Sequence, residues 1–292
     1  MVRLKQNLIS KYRPQRTLKK PVSFSGIGIH TGREVNLTFH PAKENAGVSF
    51  CRTDLSSHPV IPAHVNFVCD TNRSTTIGVK EGAIHTIEHV LAAVRAYNID
   101  NLLIEIRGIE PPVGNGSSDV FVEMIEEAGI LEQTAQKPIV KIQEPLHWAQ
   151  GDIIITALPY DGYRISYTLN YPHSKLLKGQ FHSLEVNSHS FKSEIAPCRT
   201  FALYKEISYL LDRGLIKGAS LDNAVIIHDE VAFSKGGLFF PDEMVRHKIL
   251  DMIGDLSLVG FDFEAHVIAL RAGHASNCAF AKEVLKSITE NY

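Results

Sequence analysis

The chain has 292 residues, of which 44% are hydrophobic and 21% are charged, as in an ordinary globular protein. This length predicts about two compact domains. Thirty basic and thirty-two acidic side chains give a net charge of -2, which argues against nucleic acid as the main partner. Four widely spaced cysteines without a CxxC pair indicate a reduced, cytoplasmic protein. We expect no transmembrane segment, because no run of eighteen apolar residues occurs.

The first half of the chain alternates strand and helix patterns. Residues 1–15 form a basic arm, which we interpret as a solvated end, and residues 16–136 are predicted to form the first domain. Strand patterns occur at residues 35–39 and 102–106, and helical patterns occur at residues 84–97 and 118–128. The polar run at residues 131–138 predicts a domain boundary near residue 136.

The second half, residues 137–292, is predicted to form another domain with a similar order of elements. Strand patterns occur at residues 139–142, 153–158, 163–169 and 264–270, and helical patterns at residues 201–213, 242–259 and 275–288. We find no repeat of fixed period, only two similar orders of strands and helices. The predicted fold class is α+β.

The segment RHKILDMIGD, at residues 246–255, places polar side chains at helical spacing. His247, Asp251 and Asp255 are each four residues apart and therefore form one stripe on the predicted helix. An imidazole and a carboxylate at this spacing can bind one divalent ion, provided that a third ligand comes from elsewhere. A solvated helix face with a His–Asp contact explains the stripe equally well.

The segment HTIEH, at residues 85–89, matches the H-x-x-E-H pattern of a class of zinc peptidases. A catalytic zinc site needs only three protein ligands, so the two motifs compete for the ion. One possibility is a site made by His85, His89 and a distant acid. The other combines His89 with His247 and Asp251 and leaves His85 outside.

Two further segments could contribute to a site. RAGH, at residues 271–274, places His274 where a strand ends and a helix begins, and Asp255 could hold that imidazole in its protonated form. Residues 197–222 carry more apolar side chains than one helix can bury, which indicates either core packing or a channel for an apolar ligand. We find no phosphate-binding loop for ATP or NAD.

Together, the segments GIHTG, TIEH, RTF, VRHKILDMIGD and GH resemble the UDP-3-O-acyl-N-acetylglucosamine deacetylases, zinc amidases of lipid A biosynthesis. The resemblance runs from about residue 16 to the C-terminus. It implies two similar α+β domains whose helices are sandwiched between two β-sheets. It also implies one insert per domain, at about residues 53–72 and 197–222.

The resemblance implies a reaction and a metal. The expected reaction is hydrolysis of the N-acetyl group of UDP-3-O-(3-hydroxyacyl)-N-acetylglucosamine, which releases acetate. His89, His247 and Asp251 would hold one zinc ion, and Glu88 would take a proton from water. The sequence leaves open whether iron(II) replaces zinc in the cell.

The resemblance also assigns residues to the reacting group and to the substrate. Thr200 and protonated His274 would stabilise the oxyanion, with Asp255 supporting the charge of His274. The acyl chain would follow the second insert, and the sugar nucleotide would lie beside it. The implied substrate contacts are Lys248, Phe201, Glu206, Arg271, Tyr171, Ile207, Ile216, Ser220 and Leu221.

Two alternative functions are retained. An H-x-x-E-H peptidase would need His85 as a metal ligand. A metal-free protein that binds sugar nucleotides would need no metal ligands. An intact buried polar cluster argues against the second, because such a cluster is costly to keep without a use. We expect the protein to be a monomer.

Overall fold

The computed structural model describes residues 3–290. The first half of the chain contributes nine strands and two helices: β1 (Ile9–Leu18), β2 (Val22–Ile27), β3 (Glu34–Pro41), β4 (Val48–Arg52), β5 (Val60–Pro62), β6 (Val68–Asp70), β7 (Thr76–Val79), β8 (Gly82–Ile84), α1 (Glu88–Ala96), β9 (Leu102–Arg107) and α2 (Asp119–Ala128). The second half contributes the remaining described elements: β10 (Ile130–Lys141), β11 (Leu146–Gln150), β12 (Ile153–Leu158), β13 (Tyr163–Asn170), β14 (Lys178–Glu185), α3 (Ser188–Ser190), β15 (Phe201–Leu203), α4 (Tyr204–Asp212), β16 (Val225–His228), β17 (Val231–Phe233), α5 (Glu243–Ser257), β18 (Asp262–Leu270) and α6 (His274–Ile288).

The two halves repeat one sheet topology. The five-stranded sheet has the order β2-β3-β9-β4-β5, and β11-β12-β18-β13-β14 reproduces that order in the seven-stranded sheet. The strand directions agree as well, since β4 is parallel to β9 and β13 is parallel to β18, while the other neighbours in both orders are antiparallel. The expectation of two similar α+β domains is therefore confirmed.

Helices α1, α2, α5 and α6 pack between the two large sheets, whereas α4 packs on β15 and β16. Helices α1 and α5 contact each other most extensively, while α2 packs on β2 and α6 packs on β11 and β12. Nearly every residue of α1 and twelve of the fifteen residues of α5 are buried. Burial on all sides explains why a polar stripe on α5 cannot be a solvated face. Within residues 3–290, no helix is both long and apolar enough to cross a bilayer.

The N-terminal arm is more ordered than the sequence indicated. Residues 9–15 of the arm belong to β1, which pairs with β10 along its length. Arg13 donates hydrogen bonds to Asp100 and to Asp262 of β18, and Lys137 lies 2.8 Å from Asp100. These partners are distant in sequence, so the composition of the arm could not reveal them. The arm is therefore not a frayed end at residues 9–15, although four of these seven side chains are exposed. Residues 1 and 2 lie outside the described part.

The polar run at residues 131–138 is part of β10. Its side chains alternate between partly buried and exposed positions, so the strand carries few of the apolar residues that reveal a buried strand. Strand β10 also pairs with β18 and thereby joins the sheet of the second half. The division near residue 136 remains a proposal about domains, with a continuous strand crossing it.

Two small three-stranded sheets lie outside the repeated topology. The first contains β6, β7 and β8, so it begins at Val68 and extends to Ile84, beyond the expected insert at residues 53–72. The second contains β15, β16 and β17 and extends to Phe233, beyond the expected end at residue 222. Each interrupts its half between the fifth strand of the repeat and the central helix.

Two helical predictions have wrong starting points. The helix predicted at residues 84–97 begins only at Glu88, because Thr86 has φ of 55° and cannot continue a right-handed helix. The pattern at residues 201–213 includes a strand, β15, before helix α4 begins at Tyr204. Short strands that pair with distant segments leave little local signal in the sequence.

Candidate active site

Three side chains with metal-ligating atoms meet between α1 and α5. His89 lies in the first turn of α1, and His247 and Asp251 lie one turn apart on α5. Their ligand atoms all lie within 4.8 Å of one another. Oδ1 of Asp251 is 3.4 Å from Nε2 of His247 and 3.5 Å from Nε2 of His89. The structure thus brings together the three residues that the resemblance assigned to zinc.

The close approach of the two helices depends on Gly254. A Cβ atom on Gly254 would lie 2.1 Å from the carbonyl oxygen of Glu88, which is far inside van der Waals contact. Any other residue at this position would push α5 away from the start of α1. The spacing between His89 and the side chains of α5 is therefore set by a glycine that bears no chemistry itself.

The charges of the cluster suit a divalent cation. Nδ1 of His247 is 3.0 Å from the carbonyl oxygen of Cys198, which leaves Nε2 free to bind. Burial lowers the pKa of His247 to about 4, so the ring is neutral at pH 7. Burial acts to raise the pKa of Asp251, but Lys248 and His247 outweigh it and hold that pKa well below its usual range. Oδ1 of Asp251 is buried and makes no hydrogen bond within residues 3–290.

His85 lies outside this cluster. It precedes the first turn of α1, and the left-handed backbone at Thr86 separates it from His89. Its Nδ1 atom lies 2.8 Å from the hydroxyl of Thr76, in the small sheet. His85 and His89 therefore do not share one helical face, and the geometry of an H-x-x-E-H peptidase site is not formed.

Glu88, Asp255 and His274 form a second cluster beside the first. Their oxygen and nitrogen atoms also lie within 4.8 Å of one another. Nδ1 of His274 is 3.0 Å from Oδ2 of Asp255, and Nε2 is 3.9 Å from Oε1 of Glu88. Glu88 is 2% exposed, and burial raises its pKa. A carboxylate whose pKa is raised is a better proton acceptor than an exposed one.

His274 is poised to carry a positive charge. Burial acts to lower its pKa, but the neighbouring carboxylates of Asp255 and Glu88 outweigh burial and raise it to about 9. The residue begins α6 directly after the turn at Arg271, which has φ of 58°. A cation at a helix N-terminus is unfavourable by itself, so the contact with Asp255 is needed to keep the imidazolium.

A cavity of about 300 Å³ opens onto both clusters. Glu88, His89, His247, Asp251 and His274 form its polar end. Its apolar walls come largely from the second small sheet and the adjoining helix, and include Val113, Leu203, Leu210, Ile216 and Ile226. A cavity that joins a polar, metal-ligating end to an apolar wall suits a substrate with both a reacting amide and a hydrocarbon chain.

The expected substrate contacts divide into two groups around this cavity. Five of them line it: Lys248, Phe201, Glu206, Tyr171 and Ile216. Thr200, which was assigned to the oxyanion, lines it as well. Ile207, Ser220 and Leu221 are absent from its lining, and Ser220 and Leu221 are exposed at the surface of the second insert. Helical spacing alone could not show that Leu210 turns inward on α4 while its neighbours face solvent.

A neighbouring cavity of about 360 Å³ contains Arg271 and shares Tyr171 with the first. The Tyr171 and Phe201 rings are 6.3 Å apart in an edge-to-face arrangement, so they form a wall between the two spaces. Arg271 contacts the exposed Asp152 at 3.2 Å. An accessible guanidinium beside an aromatic wall is a suitable environment for a nucleotide diphosphate.

Arg73 and Glu206 connect the two inserts across the main cavity. Nη1 of Arg73 lies 2.8 Å from Oε2 of Glu206, and both side chains line the cavity. The resemblance implies that Glu206 contacts the substrate, but nothing in the sequence indicates that Arg73 is its partner.

Thr75 is a residue that the sequence did not identify. It is fully buried, its N–H donates to Glu88 and its hydroxyl donates to Asp255. Nothing in the local segment NRSTTIG distinguishes Thr75 from Thr76, so only the tertiary structure reveals the contact.

Known proteins are similar in sequence to this chain over almost its whole length. The family described as UDP-3-O-acyl N-acetylglycosamine deacetylase matches residues 15–286. Proteins named UDP-3-O-acyl-N-acetylglucosamine deacetylase from Chlamydia pneumoniae and Chlamydia felis are 50% and 49% identical, and each alignment covers 94% of this chain and 98% of the relative. The protein of that name from Chlamydia trachomatis serovar L2 is 47% identical, with 94% and 96% covered. This chain belongs to the UDP-3-O-acyl-N-acetylglucosamine deacetylase family.

Proposed function

We propose that this protein hydrolyses the N-acetyl group of UDP-3-O-(3-hydroxyacyl)-N-acetylglucosamine in lipid A biosynthesis. The reaction breaks the amide C–N bond and releases acetate and the free 2-amino sugar nucleotide. The observation that carries the proposal is the position of the two polar clusters at the end of a partly apolar cavity. This arrangement offers a metal site, a proton acceptor, a cation and room for an acyl chain.

The metal that we propose is zinc, held by His89, His247 and Asp251. The free Oδ1 of Asp251 and the neutral ring of His247 fit this ion, because zinc binds deprotonated nitrogen and oxygen ligands. Bound zinc would polarise the amide carbonyl and make water acidic enough to react near neutral pH. The same ligands accept iron(II), so metal analysis of protein from cells is needed to identify the native ion.

Glu88 is proposed as the group that takes the proton from attacking water. Oε2 of Glu88 accepts a hydrogen bond from Thr75, whereas Oε1 faces His274 within the cavity. Its raised pKa makes it a stronger base than an exposed carboxylate. The proton that Glu88 accepts can then pass to the departing amine.

His274 and Thr200 are proposed to stabilise the oxyanion that develops as the amide carbonyl is attacked. Both line the cavity, and His274 carries its charge close to Glu88 and Asp251. Asp255 supports this charge without reaching the substrate itself. A fixed cation in a buried site stabilises developing negative charge more strongly than one in water.

The remaining assignments concern substrate binding. We propose that Ile216 lies beside the acyl chain, with Ile207, Ser220 and Leu221 at the outer end of that path. Arg271 and Tyr171 would contact the diphosphate and uracil, and Lys248, Phe201 and Glu206 would lie near the sugar. The cavity linings support the inner positions of Ile216, Tyr171, Lys248, Phe201 and Glu206, and the neighbouring cavity supports Arg271.

We further propose that the protein acts as a monomer in the cytoplasm. The two clusters and the cavity are built from one chain, which supports activity without a partner. All four cysteines are unpaired, as expected in a reducing compartment.

Acetate release from two substrates tests the proposed function. Metal-loaded protein should release acetate from UDP-3-O-(3-hydroxyacyl)-N-acetylglucosamine and far less from UDP-N-acetylglucosamine, which has no acyl chain to occupy the cavity. Glu88→Gln is the matched control and should retain the metal but lose about 10²- to 10⁴-fold in rate. Equal rates on the two substrates would contradict the proposed acyl site, and an active Glu88→Gln variant would remove Glu88 from the mechanism.

A further inference from the structure

Thr75 uses all of its polar groups to hold the start of α1 and the second cluster. It directly precedes β7 and is 0% exposed. Its N–H donates to Oε2 of Glu88 at 3.0 Å, and its hydroxyl donates to Oδ1 of Asp255 at 2.5 Å. Its carbonyl oxygen accepts the N–H of Ile87 at 3.3 Å. One residue of the loop that leads into β7 therefore contacts a helix from each half of the molecule.

These bonds determine which oxygen atoms remain available to the cavity. Because Oε2 of Glu88 is occupied by Thr75, Oε1 is left on the side of His274. Because Oδ1 of Asp255 is occupied by Thr75, Oδ2 is left to accept from His274 and from Asn277, at 3.0 and 2.8 Å. Both carboxylates are thus fixed about their terminal torsion angles, which are otherwise soft.

We propose that Thr75 is a positioning residue that sets the orientation of Glu88 and of the Asp255–His274 pair together. It does not line the cavity, so it acts only through these groups. The inference rests on the proposed function, because that function assigns proton transfer to Glu88 and charge stabilisation to His274. Catalytic groups must be held within a few tenths of an ångström, so the loss of such support costs rate more than binding.

Replacement of the hydroxyl tests the proposal. Thr75→Val keeps the shape and the N–H but removes the donor to Asp255, and we expect kcat to fall about 10- to 100-fold with little change in KM. Thr75→Ser restores the hydroxyl and should recover most of the rate. Thr76→Val is the matched control, since Thr76 is also buried but its hydroxyl contacts only His85. A Thr75→Val variant with wild-type kcat, or a loss confined to KM, would overturn the proposal.

A double-mutant cycle separates positioning from a general structural effect. If Thr75 acts through Asp255, Thr75→Val should add little to the loss caused by Asp255→Asn. Additive losses, or equal losses in Thr75→Ser and Thr75→Val, would show a structural role instead. Unfolding free energy and metal content are measured for each variant, to exclude loss of fold or metal. If wild-type protein released no acetate, that result would contradict the proposed function and not the positioning role of Thr75.

Discussion

Gly254 of α5 packs directly against the backbone of Glu88 at the start of α1, where a Cβ atom would lie 2.1 Å from the Glu88 carbonyl oxygen. This contact brings the polar face of α5 against the first turn of α1. The three proposed metal ligands, the proposed proton acceptor Glu88 and Asp255 all lie within two turns of it.

Gly254→Ala should therefore separate the two helices and damage both stability and the metal site. We expect the free energy of unfolding to fall by about 3 kcal/mol, the upper range for overpacking of a core. Urea unfolding and metal content would measure the effect. Gly273→Ala is the control, because a Cβ there meets nothing within 4 Å, and it should cost no more than about 1 kcal/mol. If the two substitutions had equal and small effects, the helices could move apart without a loss in the free energy of unfolding.

Metal retention should distinguish the two ligand sets that the sequence left open. Asp251→Ala should lose the metal, because it removes the buried oxygen that faces His89 and His247. His85→Ala should retain it, because His85 contacts Thr76 outside the cluster. Metal content after gel filtration measures both. Loss of the metal from His85→Ala, together with its retention by Asp251→Ala, would instead support the H-x-x-E-H site.

Ile216 should influence long-chain substrates more than truncated ones. Ile216→Glu would place a carboxylate on the apolar wall of the cavity, which a hydrocarbon chain cannot solvate. We expect kcat/KM to fall about 10- to 100-fold for a long acyl chain, with a smaller change for a short one. Leu211→Glu, at a half-exposed position of the same insert, is the control and should affect neither. An equal loss for both chain lengths would indicate damaged packing.

Stability should depend on pH through Asp262, where the N-terminal strand meets the rest of the fold. Burial acts to raise the pKa of Asp262, but Arg95, Lys137 and Arg13 outweigh it and hold that pKa well below its usual range. A lowered folded-state pKa gives stability that is present above the unfolded value of about 4 and is lost as pH falls below it.

The comparison of wild-type protein with Asp262→Asn measures this contribution, because titrating groups outside the cluster of Asp262, Asp100, Arg13, Lys137 and Arg95 affect both proteins alike. We expect wild type to be more stable at pH 7 by on the order of 2 kcal/mol, with the difference shrinking as the pH falls below about 4. Urea unfolding across this range provides the values. Parallel pH profiles for the two proteins would show that the Asp262 cluster does not contribute in this way.

Elements with strong apolar periodicity could be predicted from the sequence. The strand pattern at residues 153–158 coincides with β12, and the helical pattern at residues 242–259 contains α5. The end of β10 was predicted by the strand pattern at residues 139–142, but its first part, residues 130–138, was missed because its side chains are mostly polar and it is stabilised by pairing with β1. The start of α1 was predicted too early, because Thr86 adopts a left-handed backbone conformation. The residue types in the segment HTIEH do not indicate this conformation.

The parts of the candidate site that depend on residue types and on their spacing along one helix could be predicted from the sequence. The spacing of His247 and Asp251 on one helix was compatible with a metal site or with a solvated face, and it did not show which histidine lies beside them. Thr75 could not be predicted, because its role depends on contacts with Glu88 and Asp255, thirteen and 180 residues away. The contact with Asp255 exists only once the two halves of the chain have packed together.

The most direct test of the account is acetate release before and after removal of the metal. Purified protein is treated with a chelator, shown by metal analysis to be empty and then supplied with zinc. We predict that release from UDP-3-O-(3-hydroxyacyl)-N-acetylglucosamine stops on chelation and returns with zinc. Unchanged release from the empty protein, or no release from folded, zinc-loaded protein, would contradict it.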